Sequence, residues 1–333
     1  MVDVVALAAQ LMAFDSVTGR EGPVAAFVAQ WLETRGWRVT RQPVSEDRVN
    51  VWATRGGGGV TFSTHLDTVP PHVAPRVEGG RLHGRGACDA KGIAAAMLAA
   101  ATRLAAGGED RVDLLFVVGE ERGSDGARAA NALPATSRFL VNGEPTEGAL
   151  ALGAKGSLRV TVCTEGREAH SAYPALGASA IEAMLAVLGD LRDARWPREA
   201  ALGDTTLNIG RIAGGTAPNV VAGACEAELL FRLVGPAQAV RARIEACVAG
   251  RARITYGLCI PAQRFHVVPG FPVTTVAYTS DVPLLDRWGI PLLYGPGSIH
   301  VAHTPDECVD VDALHAAVDG YATLATTLLA SHA

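Results

Sequence analysis

No cysteine of this chain stands in a C-x-x-C pair. The six cysteines lie at 88, 163, 225, 247, 259 and 308. That scatter reads as reduced, mostly buried small hydrophobes in a cytosolic protein. A basic excess is also missing: 29 Lys and Arg face 34 Asp and Glu, for a net charge of -5 and a pI near 6.0. A nucleic-acid partner is therefore not expected. No apolar run is long enough to span a bilayer, so no membrane partner is expected either. The opening MVDVVALAAQLMAF lacks a basic n-region and carries Asp3, which argues against a secretory signal and for a cytoplasmic location. Internal repeats are absent, as is any low-complexity segment beyond the glycine turn at 56–59. Gly84-Arg85-Gly86 neither follows a clear strand nor continues into a dinucleotide fingerprint, and that cofactor class is set aside.

What is present suits an α/β enzyme. The 333 residues are 49% hydrophobic and 19% charged, enough chain for two domains. Residues 114–121 read LLFVVGEE, an unbroken apolar run that stops on two adjacent glutamates. Such a run followed by Gly predicts a central strand buried on both faces. Ligands of open α/β sheets sit beyond the carboxyl ends of the strands, where Glu120 and Glu121 fall. Successive residues there point in different directions, so one carboxylate can face a metal and the other a substrate or water.

The same pattern recurs along the chain. Helical spacing covers 4–14 and 22–35, and strands are predicted at 38–40, 49–54 and 60–64. The last of these runs into His65-Leu66-Asp67, where an imidazole can ligate a metal and a carboxylate two residues on can hold its ring. Asp89 lies among small residues at the mouth of an Ala-rich helix predicted at 93–106, where it can reach an ion or simply cap the helix. A short helix at 127–133 and a strand at 138–141 follow, and the strand ends on Asn142-Gly143-Glu144. From about residue 157 the pattern becomes strand, helix, strand, strand, helix, strand: 158–164, 178–193, 206–213, 225–233, 237–248 and 253–258. That predicts a small α+β domain at 156–265, inserted between catalytic parts 1–155 and 266–333. The resumed part is expected to hold a strand at 273–277, a helix around 283–288, a strand at 291–294 and a last helix at 311–329.

Strand ends and loops thus offer His65, Asp89, Glu120, Glu121, Glu144 and His303. One His and one acid for each of two ions, with a shared Asp, uses five of the six. The sixth, a carboxylate, remains as general base for two-metal hydrolysis.

The segments STHLDTVPP, GRGACDAKG, VVGEE, NGEPTEG, REAHSAYPALGASAI, IAGGTAPNVV and GPGSIHVAHTPDE together resemble the di-zinc metallopeptidase family. That family includes acetylornithine deacetylase, succinyl-diaminopimelate desuccinylase, aminoacylase and glutamate carboxypeptidase. The resemblance covers nearly the whole chain. It implies a zinc-peptidase-like catalytic domain, a mixed sheet flanked by helices, carrying an inserted α+β lid and dimerisation domain.

Carried over, His65 and Glu144 would hold one metal, Glu121 and His303 the other, and Asp89 would bridge them. Glu120 would be the base and Asp67 would orient His65. His300 lies close by, but the family's ligand stands four residues before a Glu, as His303 stands before Glu307. Cys88 reads as a small buried neighbour of Asp89. In the inserted domain His170 matches a lid histidine sent across a homodimer to the substrate carbonyl oxygen. Asn219 and Arg232 match positions that hold the substrate's carboxylate or carbonyl, and a surface ion pair is the other reading of Arg232. Thr279 and Gly297 would line the pocket. The cofactor would be two divalent ions, Zn with Co or Mn as alternatives. The loop around His303 is worded most like acetylornithine deacetylase, so an N-acetylornithine-type substrate comes first. A desuccinylase, a dipeptidase or carboxypeptidase, and an inert binding protein of the same fold are the alternatives.

Overall fold

The computed structural model describes residues 2–331 of the chain. Two compact units emerge. The first comprises Met1–Leu152, Phe265–Thr274 and Ser280–Ala333, and the second Gly153–Arg264 with Thr275–Thr279.

The first unit is built on a six-stranded sheet. Its strands include β1 (Arg38–Ser45), β2 (Arg48–Thr54), β3 (Val60–His65), β4 (Val112–Val117) and β5 (Phe139–Asn142). The spatial order is β1-β2-β4-β3-β5, closed by Ile290–Leu293 at the far edge. β4, β3, β5 and Ile290–Leu293 run parallel, while β1 and β2 are antiparallel additions. Every residue of β3, β4 and β5 is buried, as in strands covered on both faces, including the small polar Thr61, Ser63 and Thr64 of β3. The register pairs His65 with Val117 and Ser63 with Asn142, so three neighbouring parallel strands end at nearly one level.

Helices cover both faces. α1 (Val4–Met12) is N-capped by Asp3, whose carboxylate accepts from the Val5 and Ala6 amides at 3.0 Å. α2 is Gly22–Glu33, α3 is Lys91–Ala106 and α4 is Asp125–Ala130. In α3 the first eleven residues, 91–101, are all buried. Its alanines let it sit between α1, the sheet and the C-terminal helix Val311–Ala330.

A buried acid interrupts this core away from the site. Asp113, second residue of β4, is only 3% exposed, and burial pushes its carboxyl up to about 6. A carboxyl whose pKa is raised on folding contributes stability while protonated. That contribution is present below the unfolded value of 3.8 and is lost as pH rises through about 6. Asp113→Asn should therefore raise the unfolding free energy above pH 6 by on the order of 1–3 kcal/mol and flatten its pH dependence. Denaturant midpoints at pH 5 and pH 8 measure this, and an unchanged difference between them refutes it.

The second unit is an antiparallel sheet of β6 (Gly156–Glu165), β7 (Thr206–Gly214), β8 (Ala224–Leu233) and β9 (Arg253–Ile260), in the order β7-β8-β6-β9. Burial alternates along β6 and β8, so one face is covered. Two helices, α5 (Ala180–Asp193) and α6 (Ala237–Val248), join that face in a core of Leu158, Val160, Met184, Leu188, Phe231 and Ile244. Among the described residues no helix is long and apolar enough to cross a membrane.

Two local expectations need correction. The helix expected around 283–288 is only a single turn, Val282–Leu284. Pro283 supports its start, but Leu285 and Trp288 both pack into a core with Leu115, Val117 and Leu140, and the chain between them makes a second turn, with Trp288 N donating to Leu285 O at 3.0 Å. A hairpin of Arg76–Glu78 and Arg81–His83 was not foreseen. Its signal was Gly79-Gly80, both at positive φ, which is the two-residue turn that right-twisted strands prefer.

Candidate metal centre

Each strand end delivers one side chain. His65 is the last residue of β3 and is buried. Its Nδ1 lies 3.0 Å from the Asp67 carbonyl oxygen, and a carbonyl only accepts, so Nδ1 carries a hydrogen. That leaves Nε2 pointing inward, 2.9 Å from Asp89 Oδ1. The Asp67 carboxylate stands further from the ring, at 3.4 Å. Its main contacts are with the amides of Glu120 (3.0 Å) and Glu121 (3.1 Å), which it accepts in the turn after β4. Gly119, at positive φ, aims that turn back over the strand end.

Asp89 does not cap α3, because Ala90 occupies the N-cap position and no side chain caps the helix. Its two oxygens are instead divided: Oδ1 faces His65, and Oδ2 lies 3.2 Å from His303 Nε2. His303 Nε2 also stands 2.9 Å from Glu121 Oε1. Glu144 follows β5 and is buried, with Gly143 donating its amide to Ser63 O of β3 at 2.7 Å. His65, Asp89 and Glu121 offer ligand atoms all within 4.8 Å of one another. Of the two loop histidines, His303 has these contacts, whereas His300 is an exposed residue whose amide meets Ser298 Oγ. Cys88 is buried with its sulfur towards Ser298 O and Glu307, and burial pushes its thiol well up.

The charges are unbalanced. Burial disfavours a charged His65, yet Asp67 and Asp89 outweigh it and hold the imidazolium well above its ordinary range. Burial likewise works against the Asp89 carboxylate, but His303 and His65 keep it well below the usual range. Asp89 and Glu121 push His303 up to about 10. Burial, reinforced by Asp281, drives Glu120 well up, and burial with Glu120 does the same to Glu144. Protons on the two histidines here offset a surplus of carboxylates. Deprotonated, the same atoms are His and carboxylate ligands of the kind divalent cations take, so the donor set fits such ions.

Several contributors escaped the sequence reading. Asp281, fully buried and pushed up to about 6 by burial, adds negative charge near Glu120. Glu307 is buried and holds the loop that carries Asp89. It accepts from Arg85 Nη1 (2.5 Å) and from the amides of Gly86 (2.9 Å), Asp89 (3.3 Å) and Cys88 (3.4 Å). Its spacing from His303 was the only signal. Gly297, one of the residues the sequence did single out, is at positive φ and packs so closely on Cys88 that a Cβ there would collide with it.

The other sequence candidates lie in the second unit. His170 is exposed, bridges Val220, and accepts the Ala172 amide on Nδ1 at 3.1 Å. Asn219 is its spatial neighbour, its carbonyl taking the Ser171 amide at 3.0 Å. Arg232, on β8, is half-buried and makes none of the ion pairs found among the described residues. Thr279 lies in the short return segment of the same unit.

Carboxylates and imidazoles gathered where parallel strands end are the equipment of a metal-dependent hydrolase. Residues 61–327 match the profile of peptidase family M20/M25/M40. A protein of Aspergillus clavatus named as a probable carboxypeptidase is 39% identical, the match covering 96% of this chain and 81% of that one. In fold the chain is similar to the aminopeptidase PepT of Bacillus cereus, with TM-score 0.80, 19% identity and 98% of each chain covered. It is also similar to YxeP of Bacillus subtilis, described as a dinuclear metal binding peptidase, with TM-score 0.72, 18% identity and 98% of each covered. The chain belongs to peptidase family M20/M25/M40 and is a metallohydrolase acting on amide bonds.

Proposed function

We propose that this protein uses two divalent ions to cleave the amide that joins an acyl or peptidyl group to an amino acid with a free carboxylate. The observation that carries this reading is the division of Asp89, one oxygen to each of two histidines. His65 and Glu144 would hold one ion, and His303 and Glu121 the other, with Asp89 common to both. Bound there, the ions would supply Lewis acidity towards water and the substrate carbonyl. Glu120 takes the proton from water and returns it to the leaving amine. Asp67 holds the backbone from which Glu120 projects. His170 donates to the oxyanion as it forms, and Asn219 and Arg232 hold the substrate's carboxylate or carbonyl, with Thr279 and Gly297 beside it.

Two substrate classes follow from two observations. The wording GPGSIHVAHTPDE supports an N-acetylornithine-type substrate. The name of the Aspergillus relative supports a short peptide cleaved at its carboxyl end. A panel of N-acetyl amino acids, N-succinyl diamino acids and dipeptides, each assayed with Zn, Co and Mn, tests the reading. Metal-dependent release of a free amino acid from at least one class is expected. No turnover with two metals bound would leave an inert binding protein.

A homodimer through the second unit completes the proposal, with His170 of one copy serving the other. Edge strand β7 is exposed along most of its length, including Ile212, and α5 exposes Leu185, surfaces suited to a second copy. Mixing His170→Ala with Glu120→Gln subunits should restore activity after subunit exchange, because each hybrid holds one site free of both defects. An exchanged mixture that stays inactive refutes donation across the dimer.

A further inference from the structure

Residues 14–21, most of the connection between α1 and α2, contribute none of the proposed ligands, yet they touch the segment after β3 and the mouth of α3 and reach the turn after β4 through Asp67 and Arg48. Thr68, just after the end of β3, donates its amide to Ser16 O at 3.0 Å, and Thr18 N donates to Thr68 O at 3.2 Å. Val17 and Thr68 form a parallel bridge, and the Ser16 hydroxyl donates to Leu66 O at 2.7 Å. At the mouth of α3, buried Lys91 donates from Nζ to Phe14 O at 2.7 Å, two residues after Asp89. On the third side, buried Glu21 pairs with Arg48 at 2.9 Å, and Arg48 pairs with Asp125 at 2.6 Å. Arg48 and Asp125 press on Gly119, where a Cβ would overlap both.

The contact with most leverage is that of Thr18. Its hydroxyl donates to Asp67 Oδ2 at 2.7 Å, and Asp67 is fully buried. Oδ2 also accepts the Glu121 amide, and Oδ1 the Glu120 amide. One hydroxyl thus fixes the rotation of the carboxylate that holds two successive amides. Without it, the two amides alone oppose a turn of the carboxylate towards His65 Nδ1, 3.4 Å from Oδ1.

We propose that residues 14–21 form a strap that positions the catalytic turn, acting through the Thr18 hydroxyl on Asp67 and thence on the backbone of Glu120 and Glu121. Thr18 is a positioning residue and touches no substrate. The inference rests on the reading of Glu120 as the base and Glu121 as a ligand. A base displaced by about 1 Å loses on the order of a hundredfold in rate, and partners behind a metal ligand are worth about ten- to a hundredfold.

The test compares Thr18→Val, which keeps the shape and removes the donor, with Thr18→Ser, which keeps the donor. In metal-loaded enzyme Thr18→Val should lower kcat about ten- to a hundredfold with KM little changed. Thr18→Ser should restore most of it. Thr18→Ser should match the parent in thermal midpoint, Thr18→Val should fall below it only by the loss of one hydrogen bond to buried Asp67, and both should bind two metals. Amide hydrogen exchange of the metal-free protein gives a readout independent of activity: the Glu120 and Glu121 amides should exchange faster in Thr18→Val alone. Wild-type kcat with wild-type exchange in Thr18→Val overturns the strap. So does an equal loss in both variants with a lowered midpoint, which marks a merely structural role. Glu120→Gln is run alongside. If it retains full kcat, the reading of Glu120 falls while exchange still judges the strap; if it is inactive and Thr18→Val is wild-type, only the strap falls.

Discussion

Replacing Glu120 by glutamine should lower kcat by a factor on the order of 10² to 10⁴, the usual worth of a general base, while both metals stay bound. Glutamine keeps the length and the backbone contact with Asp67 but cannot take a proton. KM should change little, since the interaction lost belongs to the transition state. The electrostatics add a second, independent outcome. Burial and Asp281 push the Glu120 pKa well up, so holding this carboxyl in the folded metal-free protein at neutral pH costs stability. A carboxyl of raised pKa contributes stability only while protonated, so the neutral amide should raise the metal-free thermal midpoint at pH 7. Activity lost together with stability gained is the pattern of a strained functional site. If metal content falls instead, Glu120 is a ligand and its role is exchanged with that of Glu121.

The other large effect is expected at Asp89. One carboxylate there serves two positions, so Asp89→Ala should reduce metal content at both and take activity to background. A conventional ligand such as Glu144 serves one position, and Glu144→Ala should weaken one ion more than the other. Metal stoichiometry and stepwise affinity, by titration of the metal-free protein, separate the two patterns. Two tightly held ions in Asp89→Ala would remove the bridging role. Asp89 is buried between His65 and His303, so its loss also strips both imidazoles of the partner that favours their charged forms. Both should then titrate at lower pH in the metal-free variant, which histidine NMR signals can follow.

The parallel strands of the catalytic sheet were legible because each is short, rich in β-branched and apolar residues, and punctuated by Gly or a polar residue at its end. The candidate ligands were legible because His and Glu stand at the carboxyl ends of these buried strands, where an open α/β sheet places its ligands. His65, Glu120, Glu121 and Glu144 follow that rule, and Asp89 follows from the small residues around it. Periodicity failed where tertiary packing overrode it. The helix expected around 283–288 gave way to burial of Leu285 and Trp288.

Sequence by itself determined which strands are central, which side chains stand at their ends, and that imidazole and carboxylate outnumber any thiolate there. Only the tertiary structure decided how those side chains are held. Thr18 meets Asp67 across 49 residues, and Glu307 meets Arg85 across 222. Neither pairing has a periodic signature, because each depends on where loops from different strands converge. A strand's period is written by neighbours two residues apart, whereas the hydrogen bonds that orient a ligand come from whatever chain folding brings alongside it.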